Sequence, residues 1–83
     1  MIREIQVARW RDGHWDTSPK GTKWKNIKGC NIAVMRDFLD NEKWLFKIRD
    51  RDFSSKRFSN EREAKQAVCQ ELWQHFYGDA QYI

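Results

Sequence analysis

The sequence is poor in the residues that interrupt regular structure and in those that form covalent or metal cross-links. Its 83 residues include one Pro, four Gly and two Cys. Because Cys30 and Cys69 form no Cys-x-x-Cys pair, we expect reduced thiols rather than a disulfide framework. No recognised zinc-ligand spacing joins the cysteines to His14 and His75, so no metal or other cofactor is expected.

Long apolar runs and catalytic motifs are missing as well. No apolar run approaches the roughly 20 residues of a membrane span, and the charged segment that follows Met1 does not resemble a signal peptide. We therefore expect a cytoplasmic protein with no membrane partner. The sequence has no glycine-rich phosphate loop and no Ser or Cys in a nucleophile context. These absences predict a protein that is not an enzyme.

Large aromatic side chains and basic residues are abundant. Five Trp and five Phe supply the bulk that a short chain needs for a core, which predicts a single small domain over residues 1–83. The net charge is +4 with a pI near 9.3, but residues 60–83 hold four acids against two Lys or Arg. A chain that is basic over residues 1–59 and acidic over residues 60–83 is compatible with a protein that binds an anion on one side.

The predicted fold is α+β, with a three-stranded antiparallel sheet packed on one C-terminal helix and an extra N-terminal β-hairpin. Residues 1–27 would form that hairpin, from strands Ile2–Trp10 and His14–Thr17, and a basic loop. The lysine-rich segment from Lys20 to Lys28 is read as this loop or as an irregular strand. Residues 28–83 would form the strand-strand-strand-helix unit. Its strands are predicted at Asn31–Phe38, Lys43–Asp50 and Ser54–Phe58.

The charged strand and the helix carry the clearest patterns. In Lys43–Asp50 the alternation directs Trp44, Phe46 and Ile48 to the core and Lys47 and Arg49 to the other face. Asn60 is a good N-cap, and Gly78 fits a left-handed helix end. At 100° per residue, one helix face would collect Ala64, Ala67, Val68, Leu72 and Phe76.

Residues 58–67, from Phe58-Ser59-Asn60 to Lys65-Gln66-Ala67, resemble the turn into the helix of the Apetala-type (ethylene-response-factor) DNA-binding domain. That domain also occurs in phage homing endonucleases, and integrase arm-binding domains are similar. Residues 43–49 look like the second strand of that family, and Gly78-Asp79-Ala80 is similar to the segment after its helix. The resemblance implies a three-stranded sheet that enters the DNA major groove and reads bases with Arg and Trp side chains.

DNA is therefore the leading candidate partner, with RNA as an open alternative. Lys47 and Arg49 are the main candidates at the groove, and the same charges could instead only keep an uncovered face soluble. Trp24 could stack on an unpaired base or belong to the core. The further candidate nucleic-acid contacts are Lys43, Arg51, Lys56, Arg57, Lys20, Lys23, Lys25 and Lys28.

A second hypothesis is a small phage-type inhibitor or regulator that binds a host protein complex. Trp73 and Tyr77 point away from the predicted apolar face of the helix, and Tyr82 lies in the tail. Aromatic side chains of this kind are frequent anchors of protein interfaces. Under this hypothesis the three residues would contact the partner.

Overall fold

In the computed structural model, which describes residues 2–49 and 53–78, an antiparallel sheet is combined with one helix before it and one after it. The strands follow one another across the sheet in the order β1-β2-β3-β4. The α+β class is confirmed, but the sheet has four strands instead of the predicted three. In chain order the elements are α1 (Ile2–Asp12), β1 (Asp16–Thr17), β2 (Lys23–Ile27), β3 (Cys30–Arg36), β4 (Trp44–Ile48) and α2 (Glu61–Tyr77).

The predicted N-terminal hairpin is wrong, because residues 2–12 form helix α1. Val7 and Trp10, its two buried residues, are three positions apart. That spacing puts them on one face of a helix but on opposite faces of a strand. Trp15 secures the end of the helix, since its indole Nε1 donates to the Arg11 carbonyl over 2.9 Å. The short strand predicted before residue 18 is present as β1.

The basic segment predicted as a loop or an irregular strand contains strand β2. Its lysines are compatible with a strand because each ammonium group finds an acceptor: Lys23 Nζ donates to Thr17 Oγ1 over 2.9 Å, and Lys25 Nζ to the Trp10 carbonyl over 2.8 Å. Lys28 and Gly29 then connect β2 to β3 with φ values of 52° and 84°. Two successive positive φ angles are what a tight hairpin turn of the I′ type requires.

The third predicted strand, Ser54–Phe58, is reduced to a single bridge between Phe58 and Trp44. The Ser54 hydroxyl accepts the Phe46 N–H over 3.1 Å, while the Ser54 N–H donates to the Phe46 carbonyl over 2.8 Å. A serine side chain that occupies a backbone donor competes with a regular ladder. Residues 53–58 therefore follow the outer edge of β4 as an irregular segment.

Helix α2 is confirmed, and its N-terminus is capped as predicted. Asn60 has extended backbone angles, and its side-chain oxygen accepts the Glu63 N–H over 2.8 Å. Ala64, Val68 and Leu72 are fully buried, as the helical period predicts. The left-handed end predicted at Gly78 is wrong, because this residue is right-handed with φ −40°.

The main core lies between one face of the sheet and α2, and α1 packs against α2. Both cysteines are buried in it, and desolvation raises the pKa of the Cys69 thiol to about 12. Trp10 and Trp15 belong to this core, and Trp44 is half-buried against it. In the described residues, neither helix is both long and apolar enough to span a membrane.

Candidate nucleic-acid interface

The strand register divides the sheet into two faces. Cys30, Ile32 and Val34 of β3 point towards the helices and belong to the main core. Asn31, Ala33 and Met35 alternate with these residues and point to the opposite face of the sheet. No described residue on that opposite face belongs to the main core. We call this surface the open face; it is formed by Asp16, Trp24, Asn26, Asn31, Ala33, Met35, Leu45 and Lys47.

The central row of the open face combines an aromatic ring with a cation. Asp16 pairs with Trp24, Trp24 with Ala33, and Ala33 with Lys47, so these four residues cross the sheet side by side. The Lys47 ammonium lies 5.2 Å from the centre of the Phe53 ring, just beyond β4. Trp24 and Phe53 expose 41% and 39% of their surface. Trp24 is therefore not a core residue, and Phe53 is a site residue that the sequence pattern did not reveal.

One end of the open face has a small apolar cluster of its own. Leu45 is fully buried although it lies outside the main core, and it pairs with the half-buried Met35. Beside this pair, the rings of Phe38 and Phe53 meet edge to face at 5.1 Å. The predicted alternation treated residue 45 as part of the charged side. The run Trp44-Leu45-Phe46 was the available signal, because a strand that is apolar at successive positions is buried on both faces.

Lys47 lies on the open face, as the alternation of the strand predicted, whereas Arg49 follows the last residue of β4 and has no register partner on that face. Lys47 is half-buried on it, and Arg49 is exposed directly after β4 with φ 51°. Among residues 2–49 and 53–78, no carboxylate forms an ion pair with either side chain. Lys43 is exposed in the turn before β4. Arg51 lies outside the described residues.

The lysines between residues 20 and 28, predicted to contact phosphates, do not belong to the open face. Lys23 and Lys25 share a face with Ile27 on the helix side, and burial lowers the pKa of Lys25. Lys28 lies over the Tyr77 ring at 4.6 Å and donates to the Tyr77 hydroxyl. Lys20 is exposed in the turn before β2.

Lys56 and Arg57 line a second surface, a polar groove of about 1060 Å³ between residues 54–60 and α2. Its other cations are Arg3, Arg11 and Arg62. Two of the five are already paired: Arg57 Nε binds Asp37 Oδ2 at 2.9 Å, and Arg11 binds Asp12 and Gln66. The pKa of Asp37 is lowered first by the N–H of Leu39 and then by Arg57. The groove is therefore basic but in part internally neutralised.

The residues predicted to anchor a protein partner are engaged within the chain. Trp73 is half-buried, with its ring 5.0 Å from that of Tyr77 and the Arg3 guanidinium 5.8 Å above it. Tyr77 receives the Lys28 contact described above. Tyr82 lies outside the described residues. Trp73 and Tyr77 therefore make contacts within the chain itself.

Among the described residues, no group of three His, Cys, Asp or Glu side chains is arranged to hold a metal ion. No family model, curated protein or solved structure matches the chain. Its function therefore has to be inferred from the residues and their geometry.

Proposed function

We propose that this chain is a non-enzymatic nucleic-acid-binding module that uses the open face, with DNA as the leading candidate. The observation that carries the proposal is the exposure of Trp24 and Phe53 around the Lys47 ammonium on a sheet face outside the helix-side core. Aromatic side chains provide stacking area for bases, and cations neutralise phosphates. A structural role alone would favour the burial of two such rings.

Electrostatics supports an anionic partner. The chain carries a net charge of +4, and Lys47 and Arg49 have no ion-pair partner among the described residues. Asp16 is the single acid of the open face as defined above, and it lies at the far end of the central row, where His14 Nε2 contacts it at 3.1 Å. The positive side of the row is therefore the side that carries Phe53.

A salt titration of the chain with a fluorescent oligonucleotide tests this function. The face variant, Lys47→Gln with Arg49→Asn, removes two charges, and Asn keeps the left-handed backbone at position 49 accessible. Loss of two phosphate contacts should flatten the plot of log K against log salt by about 1.4 for a single strand or about 1.8 for a duplex. Thermal stability should change little, because Arg49 is exposed and Gln at position 47 keeps most of the aliphatic stem of Lys47 beside Phe53.

The groove supplies a charge-matched control, Lys56→Gln with Arg62→Gln. It lowers the net charge by the same amount on the other side of β4. A loss of affinity in the groove variant with full affinity in the face variant would contradict the proposal and assign binding to the groove. An absence of binding to any nucleic acid at low salt would remove the function altogether.

A protein-binding inhibitor or regulator remains the second candidate, now through the β3–β4 turn. Leu39 and Phe38 expose 96% and 68% of their surface there. The turn is held in place by hydrogen bonds from the Leu39 N–H to Asp37 and from the Glu42 N–H to Asp40. Host-lysate capture after nuclease treatment tests this role: a partner retained by the parent chain and lost with Leu39→Ser would support it.

A further inference from the structure

We infer that the open face is built for an unpaired base, so that the chain binds single-stranded nucleic acid in preference to a duplex. This inference rests on the proposed function and adds the class of ligand to it. The evidence is the difference in side-chain size along the central row of the open face. Ala33 stands between two tall neighbours, Trp24 on β2 and Lys47 on β4.

From the register and the ordinary spacing of strands we infer a slot over Ala33. Neighbouring strands lie about 4.8 Å apart, so the Trp24 and Lys47 backbones are separated by roughly 10 Å. Between them the sheet carries only the Ala33 methyl group in this row. Successive bases in a nucleic-acid strand are spaced by about 3.4 Å, which is the thickness of one ring. One base therefore fits between Trp24 and the Lys47–Phe53 pair, with its edge towards Ala33.

The residues around the slot provide the other contacts of a single strand. Lys47 and Arg49 lie on the side of β4, where a phosphate of the bound nucleotide can approach them. Phe53 offers a second ring to a neighbouring base, next to the same ammonium group. A base inside a duplex is stacked and paired, so its ring cannot enter the slot unless the duplex opens. The slot therefore selects for strands whose bases are already free.

The major-groove mode fits the open face less well. Reading a duplex edge requires several long polar side chains that project from the sheet. On the described open face, the polar side chains are those of Asp16, Lys47 and two asparagines, and only Lys47 is long. These asparagines bind each other, since Asn26 Nδ2 donates to Asn31 Oδ1 over 2.9 Å. The face thus offers stacking area more than it offers readout of base edges.

The test is fluorescence anisotropy with a labelled 12-nucleotide mixed-sequence DNA strand and with the same strand annealed to its complement. We expect the single strand to bind at least about tenfold more tightly. Trp24→Ala should weaken its binding by about 5- to 150-fold, because one stacked base is worth that factor. Trp24→Phe keeps a ring and should recover most of the affinity. Ala33→Leu should weaken binding by filling the slot.

The controls separate this inference from the proposed function. Ile5→Ala changes an exposed apolar residue of α1, away from the open face and the groove, and should leave binding within about twofold. Duplex binding as tight as single-strand binding, or full affinity in Trp24→Ala, would overturn the inference and leave the proposed function standing. If neither form of DNA nor an RNA strand of the same sequence binds, the proposed function fails together with the inference. Circular dichroism confirms that each variant is folded, and Trp24→Ala keeps the test decisive if Ala33→Leu does not fold.

Discussion

Replacement of Leu45 by Ala tests whether the open face is anchored by its own apolar cluster. Leu45 is fully buried, yet it lies on the face opposite to the main core. If it pointed to solvent, as the alternation of the strand predicts, the substitution would change the free energy of unfolding by less than about 0.5 kcal/mol. The structure predicts a much larger effect.

The expected size follows from what surrounds the side chain. Truncation of a buried leucine to alanine lowers the free energy of unfolding by about 2–5 kcal/mol. The loss is smaller where neighbouring side chains can collapse into the cavity. Phe38 and Phe53, which meet each other at this side of the sheet, expose 68% and 39% of their surface, so this region is less enclosed than the main core. We therefore expect about 2–3 kcal/mol for Leu45→Ala. Leu72→Ala, in the fully enclosed main core, should cost about 3–5 kcal/mol.

Urea denaturation followed by tryptophan fluorescence measures both values, because neither variant removes a tryptophan. In a domain of this size, 2–3 kcal/mol corresponds to a fall in Tm of about 8–24 °C. A double-mutant cycle that combines Leu45→Ala with Phe53→Ala should show a coupling energy of at least about 0.5 kcal/mol, since we assign both residues to the same apolar cluster. A cost for Leu45→Ala below 0.5 kcal/mol would refute this assignment of the open face.

Three further predictions concern the helix cap and two titrating groups. Asn60→Ala should destabilise the fold by about 1 kcal/mol in urea, because the Glu63 N–H loses its acceptor. Burial raises the pKa of Cys69 from 9.0 to about 12, so its contribution to stability is complete below pH 9 and decreases as the pH rises towards 12. Urea midpoints between pH 8 and 10.5 should therefore fall more steeply in the parent chain than in Cys69→Ala, and equal slopes would contradict this. The pKa of Asp37 is lowered, so the stability it provides is present at neutral pH and lost on acidification through that pKa. The difference in urea midpoint between the parent chain and Asp37→Asn should accordingly shrink from pH 6 to pH 3.

The elements that the sequence predicted well are those encoded locally. Helix α2 has its cap at Asn60 and an apolar period that ends in Leu72, and both signals lie within the helix itself. Helix α1 has only 11 residues, and its buried face is limited to Val7 and Trp10. Helices this short are marginal alone and depend on packing. Its partner is α2, more than fifty residues later, so the β-branched residues of the first segment were a misleading local guide.

The site was predictable to the same extent. The position of Lys47 on an outward face follows from the alternation in β4, and the structure confirms that face. Phe53 joins the site because the chain returns along the outer edge of β4 after the strand ends, and no local pattern specifies such a return. For the same reason, the partners of Arg57 and Lys28, which are Asp37 and Tyr77, could not be foreseen. They lie 20 and 49 residues away in the sequence.

The placement of α1 explains why neither helix packs on the open face. A first hairpin, had it formed, would have been available to cover the outer side of the sheet. As a helix, the same segment packs against α2, so both helices share one side. The sheet then keeps Trp24 and Phe53 partly in water, although burial of an aromatic side chain is one of the larger stabilising terms open to so small a domain. Among the described residues no carboxylate pairs with the Lys47 ammonium beside these rings, and this combination of exposed rings and a cation is what the proposed nucleic-acid ligand would use.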